Sequence, residues 1–183
     1  LDQMLRVNPA TVGSGMELTE LSDLASKLSI DEFAAQFSHL FLLFYETVDT
    51  VGVSSFSTQV VSKELARKKP TSELRVIPLV KAPGNPYSDR ISVGRARNCD
   101  VVLRNPSVSK LHAHIRRESS GHWVLTDLNS HNGTAVDGTR VPASASVPLR
   151  IGEQVTFGGM VVRIVDAGQL YLVLAGRAPW GSR

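Results

Sequence analysis

The sequence predicts a mainly β fold, a β-sandwich behind an N-terminal α-helical appendage, and three observations carry that expectation. Apolar residues at helical spacing are confined to roughly the first 50 positions. After Pro70, short stretches rich in Val, Ile and Leu alternate with turn-forming residues, as the strands of a sandwich do. The charge balance changes there too: residues 1–72 carry six Lys or Arg against nine Asp or Glu, and residues 73–183 carry fourteen against eight. A basic β half points to an anionic partner, whether nucleic acid, an acidic membrane or a phosphorylated protein, and charge alone does not choose among them.

Composition narrows the class. At 183 residues the chain suits one domain with an appendage, and 42% hydrophobic with 20% charged residues excludes a disordered or collagen-like chain. The greasiest run, Leu40 to Tyr45, lies between His39 and Glu46 and falls far short of the roughly 20 residues that cross a bilayer. Cys99 is the only cysteine, which excludes an intramolecular disulfide and a thiolate-rich zinc site. No stretch reads as a secretory signal, so a reducing, cytoplasmic setting is expected.

Taken in order, Leu18, Leu21, Leu24, Ala25 and Leu28 place a short amphipathic helix over 17–28, with Glu20, Ser22, Asp23 and Lys27 on its polar face. Ser29 followed by Glu32 is a capping-box pattern that opens a second helix over 30–48. Phe33, Phe37, Leu40, Phe41, Phe44 and Val48 would form its apolar stripe, which either packs within the chain or offers a dimer or partner groove. Residues 51–72 read as a third helix stopped by Pro70 or as a basic linker. The expected organisation is therefore a helical segment over 1–50, that linker or helix, a sandwich over 73–176 and a tail over 177–183. Strands are expected at 74–80, 90–95, 100–103, 112–117, 122–128, 134–136, 153–157, 160–165 and 169–174. Pro83-Gly84-Asn85-Pro86, Asp137-Gly138 and Gly158-Gly159 mark turns between them. Along 112–116, alternation sets Ala113 and Ile115 on one face and His112, His114 and Arg116 on the other.

Three loop clusters are rich in hydrogen-bond donors: Gly94-Arg95, Ser109-Lys110-Leu111-His112 and Ser130-His131-Asn132-Gly133-Thr134. Loops gather at the two ends of a sandwich, so such clusters can share one rim. With Asp100-Val101-Val102-Leu103, Val108 to Ala113, Trp123 to Leu128, Asp137-Gly138 and Gly152-Glu153-Gln154-Val155, their order and spacing strongly resemble the forkhead-associated (FHA) domain. The resemblance covers about 73–176 and leaves the first 70 residues unmatched.

That resemblance implies an eleven-stranded FHA-type β-sandwich whose apical loops bind phosphothreonine in a partner protein, hence a client of a Ser/Thr kinase. Arg95 becomes the phosphate anchor, since a guanidinium can meet two phosphate oxygens in parallel. Ser109 becomes a hydroxyl donor to the same phosphate, and Asn132 holds the peptide main chain. Lys110 and His131 stand where other residue types are frequent in the family; Lys110 would add a flexible point charge and His131 a pH-sensitive donor. Gly94, His112 and Gly133 support the site. Preference for the residue three positions after the phosphothreonine falls to loops 104–108 and 129–134. The N-terminal helices would then mediate oligomerisation, giving a homo-oligomer, or partner docking.

Other chemistries fit less well. Ser109, His112 and Asp127 supply the residue types of a hydrolytic triad, but no Gly-x-Ser-x-Gly elbow accompanies them, so no enzyme and no catalytic residue is expected. A phosphate-cradling nucleotide loop lacks its Gly-Lys pair. His112, His114, His122 and His131 raise a metal site without carboxylate or thiolate spacing to complete it, so neither a metal nor another cofactor is expected. Nucleic-acid binding through the basic half is the alternative of a different class; it lacks an aromatic-basic stripe or recognition helix.

Overall fold

The computed structural model describes residues 17–48 and 71–177. Helices α1 (Leu18–Lys27) and α2 (Ile30–Ala35) come first, and Ser29 caps α2 with the expected reciprocal box: its hydroxyl accepts from Glu32 N–H while the Glu32 carboxylate accepts from Ser29 N–H. Eleven strands follow among the described residues: β1 (Phe41–Val48), β2 (Thr71–Pro78), β3 (Ile91–Gly94), β4 (Val101–Val102), β5 (Ala113–Arg117), β6 (Trp123–Asp127), β7 (Thr134–Val136), β8 (Thr139–Arg140), β9 (Ser146–Leu149), β10 (Gln154–Phe157) and β11 (Met160–Val165). A last helix, α3, spans Ala167–Leu174. No helix among the described residues is long and apolar enough to cross a membrane.

Two sheets face each other, β2-β1-β11-β10-β7-β8 and β4-β3-β5-β6-β9. Inward side chains such as Leu42, Phe44, Phe157 and Ile164 from the first meet Val93, Ile115 and Leu125 from the second in one apolar core. The opposite face of the six-stranded sheet is also apolar. Phe41, Leu43, Val76 and Val165 pack there under Leu21, Ala25, Phe33 and Phe37 of the N-terminal segment and Ala167, Leu170 and Tyr171 of α3. The architecture is thus helix layer, sheet, sheet.

The helix expected over 30–48 is corrected. It ends at Ala35, and Phe41–Val48 is a strand paired over its whole length with β2 and over Phe41 to Leu43 with β11. Phe41 to Phe44 are four consecutive apolar residues, a pattern that suits a strand covered on both faces as well as a helix; here both faces are buried, by the inter-sheet core and by the helices. The sandwich consequently starts upstream of residue 73, and the wholly helical reading of 1–50 fails at Phe41. The phenylalanine stripe is also split: Phe33, Phe37 and Phe41 lie under the helices and Phe44 lies in the inter-sheet core, so that face is occupied by the chain itself. The strand expected at 169–174 is instead α3, because Asp166 accepts from Gln169 N–H and caps a helix whose Leu170 and Tyr171 share one buried face. Strands β8 and β9 escaped the sequence because they are short and mostly exposed. Of the segment 51–72 read as helix or linker, Thr71 and Ser72 belong to strand β2, and residues 51–70, like most of the tail, lie outside the described residues.

Candidate functional site

The apical loops converge. After β3, Gly94 and Arg95 run beside the loop that leads into β5: Arg95 N–H donates to Ser109 O at 2.9 Å and Ala96 N–H to Lys110 O at 3.0 Å. This contact is possible because residue 94 is glycine. A Cβ there would overlap the Lys110 carbonyl oxygen and lie 2.9 Å from Cys99 Sγ. Arg95 is exposed, and its Nε donates to Val108 O at 3.1 Å, which aims the guanidinium while its Nη groups carry no hydrogen bond among the described residues.

Ser109 joins the second loop to the third. Its hydroxyl oxygen accepts His131 N–H at 3.0 Å, leaving the hydroxyl proton available. Asn132 Nδ2 donates to Ser107 O at 2.8 Å, so one amide N–H and the Oδ1 remain for a ligand. The side chains of Lys110, His131 and Asn132 are exposed. Arg95, Ser109, Lys110, His131 and Asn132 are therefore brought to one end of the sandwich.

Beneath them lies His112, fully buried. The alternation that placed it on the outer face with His114 is corrected: it precedes β5, turns inward and meets the Phe157 ring edge-on at 5.6 Å. Its Nδ1 accepts Ser109 N–H at 3.0 Å, which fixes the tautomer, so Nε2 carries the proton and donates to Gly133 O at 3.2 Å. Burial pulls the imidazole pKa below its ordinary value, only partly offset by the Gly133 bond and the Asp127 charge. One neutral ring thus clamps two loops. Because it receives the backbone N–H of Ser109 and not its hydroxyl, it is not placed as a base for that hydroxyl.

Gly133 adopts φ +80°, and a Cβ there would meet the Arg140 guanidinium at 2.7 Å. Asp127 anchors the same loop from below: its carboxylate accepts Ser130 N–H at 2.9 Å, the Ser130 hydroxyl at 2.6 Å and the Thr134 hydroxyl. Burial raises the Asp127 pKa, but these hydrogen bonds outweigh it and hold the carboxyl below its usual range. Sequence reasoning missed two contributors. Ser107 accepts from Asn132 through its carbonyl and from Gly159 N–H through its hydroxyl, at 2.8 Å each, and Arg140 backs Gly133. A loop serine and an exposed arginine in a two-residue strand carry no periodic signal that would have marked them.

Residues 91–158 match the family model for the FHA domain. Curated relatives include human Kanadaptin, 37% identical over 76 residues, and the FHA domain-containing protein PS1 of Arabidopsis thaliana, 38% identical over 68 residues. Those alignments cover 36% and 37% of this chain but only 10% and 5% of the relatives, so the chain spans a small part of the curated proteins it matches. Among solved structures, the FHA domain of the CT664 protein from Chlamydia trachomatis is 20% identical, with a TM-score of 0.44 over 69% of this chain and 97% of that one. Residues 91–158 are thus the part of this chain that matches the FHA domain.

Proposed function

We propose that the apical loops form a non-catalytic receptor for phosphothreonine in a partner protein. One juxtaposition carries this reading: Arg95 N–H bonded to Ser109 O at 2.9 Å, which holds an unpaired guanidinium edge and an unspent hydroxyl proton on the same rim. A phosphothreonine brings a charge of about −1.5 to −2 and three strong acceptor oxygens. The Nη groups of Arg95 take two of them in parallel, and Ser109 Oγ–H takes the third. Lys110 adds a point charge and His131 a further donor from the facing loop. Asn132 uses its free N–H and Oδ1 on the peptide main chain. Gly94, His112 and Gly133 hold the loops at these separations without touching the ligand.

The partner is a protein phosphorylated by a Ser/Thr kinase, met in the cytoplasm. The helices are read as a cover for the sandwich instead of an oligomerisation or docking surface, because their phenylalanine face is already spent on the chain's own sheet. Calorimetry of the full chain with phosphothreonine, phosphoserine and unmodified forms of one peptide tests the proposal. The expected outcome is binding that disappears with the phosphate. Equal affinity for the unmodified peptide, or a steeply salt-dependent affinity for duplex DNA that exceeds peptide binding, overturns it.

A further inference from the structure

A groove lies beside the rim, between the loop 82–90 and the turn 95–100, and the contacts proposed above leave it empty except at Lys110. Its volume is about 840 Å³, within the usual range of ligand clefts. Two large apolar side chains stand open at it, Tyr87 at 62% and Leu111 at 51% exposure.

The outer wall is built. Asp100, whose side chain has no exposed surface, accepts from Lys81 Nζ at 2.9 Å, from Ala82 N–H and Asn85 Nδ2 at 2.8 Å each, and from Ser92 N–H and Oγ at 2.7 Å each. Asn85 Oδ1 in turn accepts Tyr87 N–H at 3.2 Å, so the segment bearing Tyr87 is pinned to β3. The Asp100 charge is thereby consumed by its donors and does not face a ligand. Of the other charged groups at the groove, Arg90 is paired with Asp89 at 2.7 Å, and burial, with Arg90 and Arg116 nearby, keeps the His114 pKa below its ordinary value. Arg97 and Lys110 have no carboxylate partner among the described residues. The groove is apolar with an uncompensated positive charge, which complements an acidic, partly apolar segment.

It is also continuous with the anchor. The bonded pairs Arg95 with Ser109 and Ala96 with Lys110 run side by side from the rim into the groove. An extended peptide advances about 3.3 Å per residue, so a chain whose phosphate sits at Arg95 reaches the groove within a few residues.

We infer that this groove binds the residues flanking the phosphothreonine, selecting an apolar side chain against Tyr87 and Leu111 and a carboxylate against Arg97. The inference rests on the phosphopeptide reading, and its test separates the two. Full-length wild type, Arg97→Glu, and Tyr87→Ala combined with Leu111→Ser are each offered a phosphothreonine peptide library randomised on both sides of the modified residue, after thermal unfolding has shown that the variants fold. Wild type should enrich acidic and apolar residues near the phosphothreonine. Arg97→Glu should lose the acidic preference, weakening acidic-flanked peptides by about tenfold, and the double variant should lose the apolar preference, both with phosphate dependence intact. Unchanged selection in both variants overturns the groove while leaving the phosphate site standing; absence of phosphate-dependent binding by wild type overturns both.

Discussion

The helical cover and the apical loops are held by different physics. Under the helices, Phe33, Phe41, Leu43 and Leu170 are at most 2% exposed, and a long-range side-chain hydrogen bond, Tyr171 Oη–H to Leu28 O at 3.2 Å, ties α3 back to the end of α1. Apolar burial is non-directional, so this layer tolerates changes of shape but not of volume. At the rim, position is set by directed bonds of Arg95, Ser109, His112, Asp127 and Asn132, most of them to backbone groups, and those of Arg95, Ser109, His112 and Asn132 cross from one loop to another. Such a network leaves exposed donors where a ligand can use them. A region built for stability spends its side chains inward; a region built for recognition spends one end of each and keeps the other.

Substitutions should separate the two regions. The largest effect expected is Phe33→Ala, which hollows the helix layer and should cost about 3–5 kcal/mol of stability by chemical denaturation, with phosphopeptide affinity of the still-folded fraction unchanged. A matching loss of affinity would mean that the layers are coupled. Arg95→Ala reverses the pattern: its loss of charge-assisted bonds should weaken phosphopeptide binding about a hundredfold by calorimetry, with the unfolding midpoint nearly unmoved. Unaltered affinity would remove Arg95 from the phosphate site.

Acid should act on the rim through its carboxylates and histidines, and on the helix layer through His39, whose ring packs against Phe37 and Phe41. Asp100 and Asp127 have folded pKa values below those of the unfolded chain, where a carboxyl titrates near about 4. The stability they contribute is complete above that value and lost as pH falls through their folded values. His112, also depressed, begins earlier: the unfolded imidazole takes up a proton below about 6.5 while the folded one resists, so stability declines from there downward. Denaturation measured from pH 8 to 3 should show both phases, and His112→Phe should shrink the upper one, leaving the share of His39 and His114, which burial also holds below the ordinary imidazole value. The smallest effect expected is Lys110→Ala. Its exposed charge should change phosphopeptide affinity only about two- to fivefold, with the difference vanishing at high salt.

What was legible in the sequence follows the same division. Gly94-Arg95, Ser109 and Asn132-Gly133 could be found because their order and spacing resemble the FHA pattern; taken singly, each residue type suits an ordinary turn. Strand Phe41–Val48 could not, since Phe41 to Phe44 satisfy a helical and an extended pattern equally, and only pairing with β2 and β11 breaks the tie. Helix α3 was hidden in the same way by the unbroken apolar run Leu170 to Leu174, with the cap at Asp166 as the overlooked sign. The Asp100-pinned wall of the groove had no signature, because its donors come from residues 81 to 92 and converge only in three dimensions.

The sequence by itself determined the mainly β class and the basic half, because alternation and turn chemistry act over a few residues and charge is a matter of composition; its resemblance to the FHA pattern pointed to the rim side chains. The tertiary structure decided which loops meet, which way His112 turns and that the phenylalanine stripe faces inward. Those outcomes depend on contacts between residues far apart in the chain, whose energies no local pattern records.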